Sequence, residues 1–170
     1  EEEGKKIKEG PYKTQEEKNT TIDLKINALI PHTYIEDEDI RILFYRKLSD
    51  AQDIKAIEKI KSELLDRFGK IPDATEMLFK ITSLKIIAEK LYIERISEDN
   101  HYIYLYFSKK ADFSKVNITK LIDDYSNVIE FMSGQYYAFK LKKNIIDTSS
   151  VEYLKQFLVR FGFYLLQVPV

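Results

Sequence analysis

The sequence predicts an α+β domain: a helical N-terminal half, three helices after a strand, packed with an antiparallel-rich sheet and a long C-terminal helix. Three observations predict it. Apolar residues recur at three- and four-residue steps between positions 37 and 91, four stretches between 92 and 141 alternate with period two, and helical period returns from position 150. Helices grouped ahead of strands, instead of alternating with them, argue against a doubly wound parallel sheet.

Each element has its own justification. Residues 1–20 contain six acids and five lysines, with Ile7 and Tyr12 as the only sizeable apolar groups, too little to offset ordering entropy, so they read as a linker. From Thr21, Ile22, Leu24, Ile26 and Ala28 alternate with Asp23, Lys25 and Asn27, the pattern of a half-buried strand that ends before Pro31. A first helix over 37–48 places Ile40, Leu43, Phe44 and Leu48 at helical spacing. A second, over 51–68, carries Ile54, Ile57, Ile60, Leu64 and Phe68 on one stripe. It stops at Gly69, where a left-handed residue meets no Cβ clash, and Pro72 prevents its resumption. A third begins at Asp73, spaced from Glu76 as in a capping box, and runs through Leu78, Ile81, Leu84, Ala88 and Leu91. Residues 92–97, 101–107, 127–132 and 135–141 read as strands, with Ser133-Gly134 as the turn between the last two and a helix over 112–125 among them. The final helix repeats Val151, Leu154, Phe157, Leu158, Phe161 and Leu165.

Composition sets bounds on function. A chain of 170 residues with 44% apolar and 13% aromatic residues can bury roughly 70% of its unfolded surface, enough for one self-sufficient domain. Lys+Arg 27 against Asp+Glu 28 gives a net charge of -1, which disfavours binding dominated by nucleic-acid phosphates. Without cysteine there is no disulfide or thiolate chemistry, as in a reducing cytoplasm. No charge-free apolar stretch reaches the length of a membrane span, and Glu-Glu-Glu-Gly-Lys-Lys is no signal peptide.

Catalytic and cofactor motifs are missing. The five glycines, at 4, 10, 69, 134 and 162, cannot form a phosphate-binding loop or a dinucleotide fingerprint. His32 and His101 lack a second histidine at ligand spacing or a nucleophile elbow. Glu36-Asp37-Glu38-Asp39 lacks the glycine and spaced oxygens of a calcium loop and suits the positive end of a helix dipole.

Two stretches can carry binding. In 101–107, Tyr102, Tyr104 and Tyr106 share a face that could stack single-stranded bases, with Lys109, Lys110, Lys140, Lys142 and Lys143 as basic neighbours. The alternative is an ordinary half-buried sheet face, because tyrosines pack well across strands. Near the end of the second helix, Glu63, Asp66 and Arg67 project from neighbouring positions. Two carboxylates there oppose the helix dipole, and Arg67 compensates in part. By pattern alone they read as a solvated face with an internal Glu63–Arg67 pair.

A resemblance changes that weighting. Ala28-Leu29-Ile30-Pro31, Tyr34-Ile35, Arg41-Ile42-Leu43-Phe44-Tyr45-Arg46-Lys47 and above all Glu63-Leu64, Asp66-Arg67-Phe68-Gly69 and Pro72 resemble the C-terminal domain of bacterial transcription-repair coupling factors, the Mfd family. The likeness covers residues 22–96, is strongest over 28–72, and beyond that lies in the order of elements. It implies a non-catalytic regulatory domain over 21–170, with 1–20 leading from a preceding motor and reaching about 25 Å if flexible. The parent would be an ATP-dependent DNA translocase, using ATP and magnesium, that displaces stalled RNA polymerase and recruits UvrA. This domain would fold back on the parent's UvrB-like module and cover the UvrA-binding surface. By motif match, Glu63 and Asp66 would accept arginines of that module and Arg67 would orient them or touch the module, while Phe68, Gly69 and Pro72 would keep the helix end in shape. No cofactor is implied for this chain itself. The rival is a nucleic-acid accessory domain built on the tyrosine strand.

Overall fold

The computed structural model describes residues 20–113, 118–132, 137–145 and 149–166. Among these the elements are, in order, β1 (Thr21–Asp23), α1 (Glu38–Ser49), α2 (Ile54–Phe68), α3 (Asp73–Lys90), β2 (Ile93–Glu98), β3 (Tyr102–Phe107), α4 (Ile118–Tyr125), β4 (Ile129–Met132), β5 (Ala138–Lys142), a 3-10 turn (Lys143–Ile145) and α5 (Ser150–Leu166). The strands form a sheet of order β1-β2-β3-β5-β4, antiparallel except for the β1–β2 pair. A parallel pair needs a long crossover. The three helices between β1 and β2 supply it.

Two separate apolar clusters hold the fold. The larger joins one sheet face to α3 and α5 through Leu84, Ile96, Leu105, Phe139, Leu158 and Phe161. The smaller joins α1 and α2 to the other side of α3 through Phe44, Leu48, Ile57, Ile60, Leu64 and Phe79. Helix α3 serves both, giving Leu84, Ile87 and Ala88 to one and Phe79 and Ile86 to the other, so its apolar residues are not confined to one stripe.

The α+β class and the sequence of helices and strands agree with expectation, and several local details differ for physical reasons. The ladder of β1 ends at Asp23, although the alternation of exposure continues to Leu29. Past that point the backbone bonds elsewhere: the Lys25 N–H donates to the Glu98 carboxylate and the Leu29 N–H to the Ala74 carbonyl at 3.2 Å. Leu43 turns outward at 45% exposure, because Phe44 and Leu48 face the core of α1. Helix α2 starts at Ile54, where Asp53 accepts from the Ala56 N–H at 2.8 Å. The expected capping box of α3 is absent. Pro72 is its N-cap, without a side-chain bond, and Glu76 instead pairs with Lys61 at 2.8 Å.

Strand β2 begins one residue later than expected, since Tyr92 (φ 58) takes the left-handed position that closes α3. Residues 112 and 113 are not helical, and α4 begins at Ile118. The turn expected at Ser133-Gly134 and the linker expected over 1–19 lie outside the described residues. Asp37 caps α1 by accepting from the Ile40 N–H at 3.1 Å, with Glu38 and Asp39 in its first turn, the placement that the helix dipole favours. Among the described residues no helix is long and apolar enough to cross a membrane.

Candidate interdomain interface

The end of α2 is held by a small set of contacts that follow from its sequence. Gly69 has φ 77 and ψ −150, outside the left-handed helical well expected for a C-cap and in a region essentially reserved for glycine. Its N–H donates to the Leu65 carbonyl at 3.0 Å. The Tyr34 hydroxyl lies 3.2 Å from the Leu64 carbonyl and 3.0 Å from that of Gly69, and so ties the end of α2 to the segment ahead of α1. Phe68 stands edge-on to Tyr34 and Phe44, with centroids at 6.0 and 6.1 Å. Pro72, half-buried, then starts α3. We predict that Gly69→Ala destabilises the 170-residue chain by about 1–3 kcal/mol. The cost is one of backbone conformation, since an added Cβ would meet nothing within 4 Å. Urea unfolding measures it, and a loss under about 0.5 kcal/mol would mean that the turn adapts without strain.

On this platform the three charged residues differ in their freedom. The Glu63 carboxylate accepts from Lys47 Nζ at 2.6 Å and from Arg67 Nη1 at 3.1 Å. The Lys47 bond, then that of Arg67, holds its carboxyl below the usual range against some opposing burial. The Arg67 guanidinium also lies over the Phe44 and Phe68 rings, 5.5 and 5.0 Å from their centroids. Asp66 is exposed and makes no side-chain hydrogen bond or ion pair among the described residues. The site therefore presents one open carboxylate and one engaged carboxylate, with Arg67 placed to orient the latter.

Sequence reasoning anticipated the Glu63–Arg67 pair and missed Lys47. The basic last turn of α1 was visible, but its partner lies 16 residues away across a helix crossing that no local spacing specifies.

The tyrosine strand is β3, the central strand of the sheet, and its three tyrosines are half-buried on the face away from the larger cluster. Its basic neighbours are engaged. Lys140 and Lys142 share Glu130 at 3.1 and 3.6 Å, Lys143 pairs with the Glu98 carboxylate, and Lys140 Nζ sits 3.9 Å from the Tyr102 centroid. The Tyr104 hydroxyl donates to Asp99 at 2.7 Å, which with backbone donors from His101 and Tyr102 holds that carboxyl down at about 2. Among the described residues, Lys140, Lys142 and Lys143 are thus each taken up by a carboxylate.

Residues 24–118 match the TRCF domain family. A transcription-repair-coupling factor of Haemophilus influenzae is 33% identical over 146 residues, 84% of this chain and 13% of the relative. One from Buchnera aphidicola subsp. Acyrthosiphon pisum is 39% identical over 101 residues, 59% of this chain and 12% of the relative. The chain thus spans about an eighth of the length of these two relatives. A crystal structure of the C-terminal domain of a transcription-repair coupling factor shares the fold, with a TM-score of 0.69 at 22% identity over 89% of this chain and 95% of that one. Because the family match spans more than half of the 170 residues and takes in the whole α1–α3 unit, the chain belongs to the TRCF domain family of transcription-repair coupling factors.

Proposed function

We propose that this domain is a non-catalytic latch within a longer transcription-repair coupling factor. It docks on the parent's UvrB-like module and masks the surface that recruits UvrA, while the parent, an ATP-dependent DNA translocase, acts on stalled RNA polymerase. The observation that carries the reading is the exposed Asp66 in the last turn of α2, against the helix dipole and without an ion pair among the described residues, beside the Glu63–Arg67 pair. The one cation of that turn, Arg67, is taken up by Glu63 and by the Phe44 and Phe68 rings. Family membership supplies the context, and the conformational role of Gly69 and Tyr34 supports a surface kept in one shape for a partner.

Tethering gives such a latch an effective concentration on the order of mM, so a few partly desolvated ion pairs suffice, and the closed state stays reversible. The test compares UvrA binding by the parent with and without residues 21–170, at fixed salt. A marked gain on deletion is expected; equal binding by both forms would remove masking as the function.

A further inference from the structure

We propose that the pocket at one end of β3 and β5 binds a nucleotide by its phosphate group, either as a free nucleotide or as a unit of a single strand. The site is separate from the end of α2 and does not rest on the latch reading. It has a volume of about 540 Å³ and is lined by Asn100, His101, Tyr102, Lys142, Lys143 and Asn144. Every one of these side chains can donate a hydrogen bond, and no carboxylate is among them. The walls are tied to one another. Lys142 is the cross-strand neighbour of Tyr102, and the Lys143 N–H donates to the His101 carbonyl at 2.8 Å.

The ion pairs around the pocket leave donors and charge over. Lys143 Nζ donates to the Glu98 carboxylate and to the Asp99 carbonyl at 3.1 Å, which uses two of its three N–H groups and holds the third in place. Lys140 and Lys142 share the single carboxylate of Glu130, at 3.1 and 3.6 Å, so these three residues keep one net positive charge. Asn100 Oδ1 accepts from Lys25 Nζ at 3.1 Å; an ammonium only donates, so the amide NH2 of Asn100 stays available. The Lys25 ammonium has no carboxylate partner among the described residues. Lys25, Lys140, Lys142 and Lys143 thus outnumber Glu98, Asp99 and Glu130 by one, although the whole chain stands at -1.

The donors come from the turn before β3, the end of β5 and the 3-10 turn. A phosphate presents tetrahedral oxygens to several sides at once, whereas the two oxygens of a carboxylate lie in one plane, and lysine is a usual phosphate partner. The volume exceeds what a phosphate alone fills and lies in the range of small-molecule sites, with Tyr102 as a wall for the attached sugar.

Amide NMR spectra of the 170-residue chain at low salt, titrated separately with inorganic phosphate, adenosine monophosphate and oligothymidylate, test the site. Shifts are expected at residues 100–102 and 142–144, with one of the two nucleotide probes binding about tenfold more tightly than phosphate. The tighter of the two identifies the source, a free nucleotide or a strand. Lys142→Ala and His101→Ala should each weaken that binding by about five- to tenfold, whereas Lys55→Ala, which removes an exposed charge on α2, should leave it within about twofold. Both pocket changes spare the Lys143–Glu98 pair, whose carboxylate side chain is only 4% exposed and would be left buried and unpaired by a change at Lys143. Equal affinity for phosphate and for both nucleotide probes would overturn nucleotide binding. Unmoved amides at 100–102 and 142–144, or an equal loss from Lys55→Ala, would overturn the site itself.

Discussion

Reversing both carboxylates, Glu63→Lys with Asp66→Lys, is expected to open the latch in the full-length parent and raise UvrA binding toward that of the form without the domain. Each reversal replaces an attraction to an incoming cation by a repulsion. For charge pairs shielded from water at an interface, losses of about 2 kcal/mol or more are usual, which is roughly thirtyfold in the closed–open equilibrium. The fold should survive. Glu63 and Asp66 lie outside both apolar clusters, and lysines at the end of α2 agree with its dipole better than carboxylates do. Arg67 loses its ion pair yet keeps its place over the Phe44 and Phe68 rings. Thermal unfolding of the isolated 170-residue chain separates the two effects, with a change within about 1 kcal/mol expected. A folded double variant that binds UvrA no better than wild type would show that these residues are not the contact.

The contrast between Glu63 and Lys47 shows which parts of the site could be read from sequence. Residues three or four apart on a helix are neighbours whatever the tertiary fold, so Glu63, Asp66 and Arg67 were legible as one patch. Lys47 reaches Glu63 because α1 crosses α2 over Phe44, a packing decision made by the smaller cluster as a whole. The same divide runs through the fold. Periodicity placed α2, α3, β3 and α5 closely, since each buries one regular set of side chains. It did not give the parallel β1–β2 pairing or the two-sided burial of α3, which depend on where the helical excursion lands. Capping was the least legible feature. Asp73 and Glu76 have the spacing of a capping box, but Pro72 lies one residue earlier with φ −68, preset for the N-cap position, and Lys61 of the neighbouring helix draws Glu76 away. Local chemistry offered two solutions there, and a tertiary contact chose.

Phe44→Ala is expected to give the largest loss of stability in the helical half, about 3–5 kcal/mol. The ring is fully buried, at 0% exposure, and packs edge-on against Phe68. Lys47 and Arg67 cover it from outside, at 5.1 and 5.5 Å. Truncation therefore removes three things together: the apolar surface of the ring, its contact with the residue that ends α2, and the surface on which both partners of Glu63 lie. Phe44→Leu should cost about 1–2 kcal/mol, because most of the volume is kept while the aromatic contacts are lost. Urea unfolding of the 170-residue chain gives the totals, and amide hydrogen exchange locates them. Protection should fall in α1 and α2 well before it falls in β3, whose buried residues Ile103, Leu105 and Phe107 belong to the other cluster. Equal loss in both would mean that α3 couples the two clusters into one cooperative unit. In that case a partner pulling on α1 and α2 would strain the sheet as well, and the latch would have to open as a rigid body.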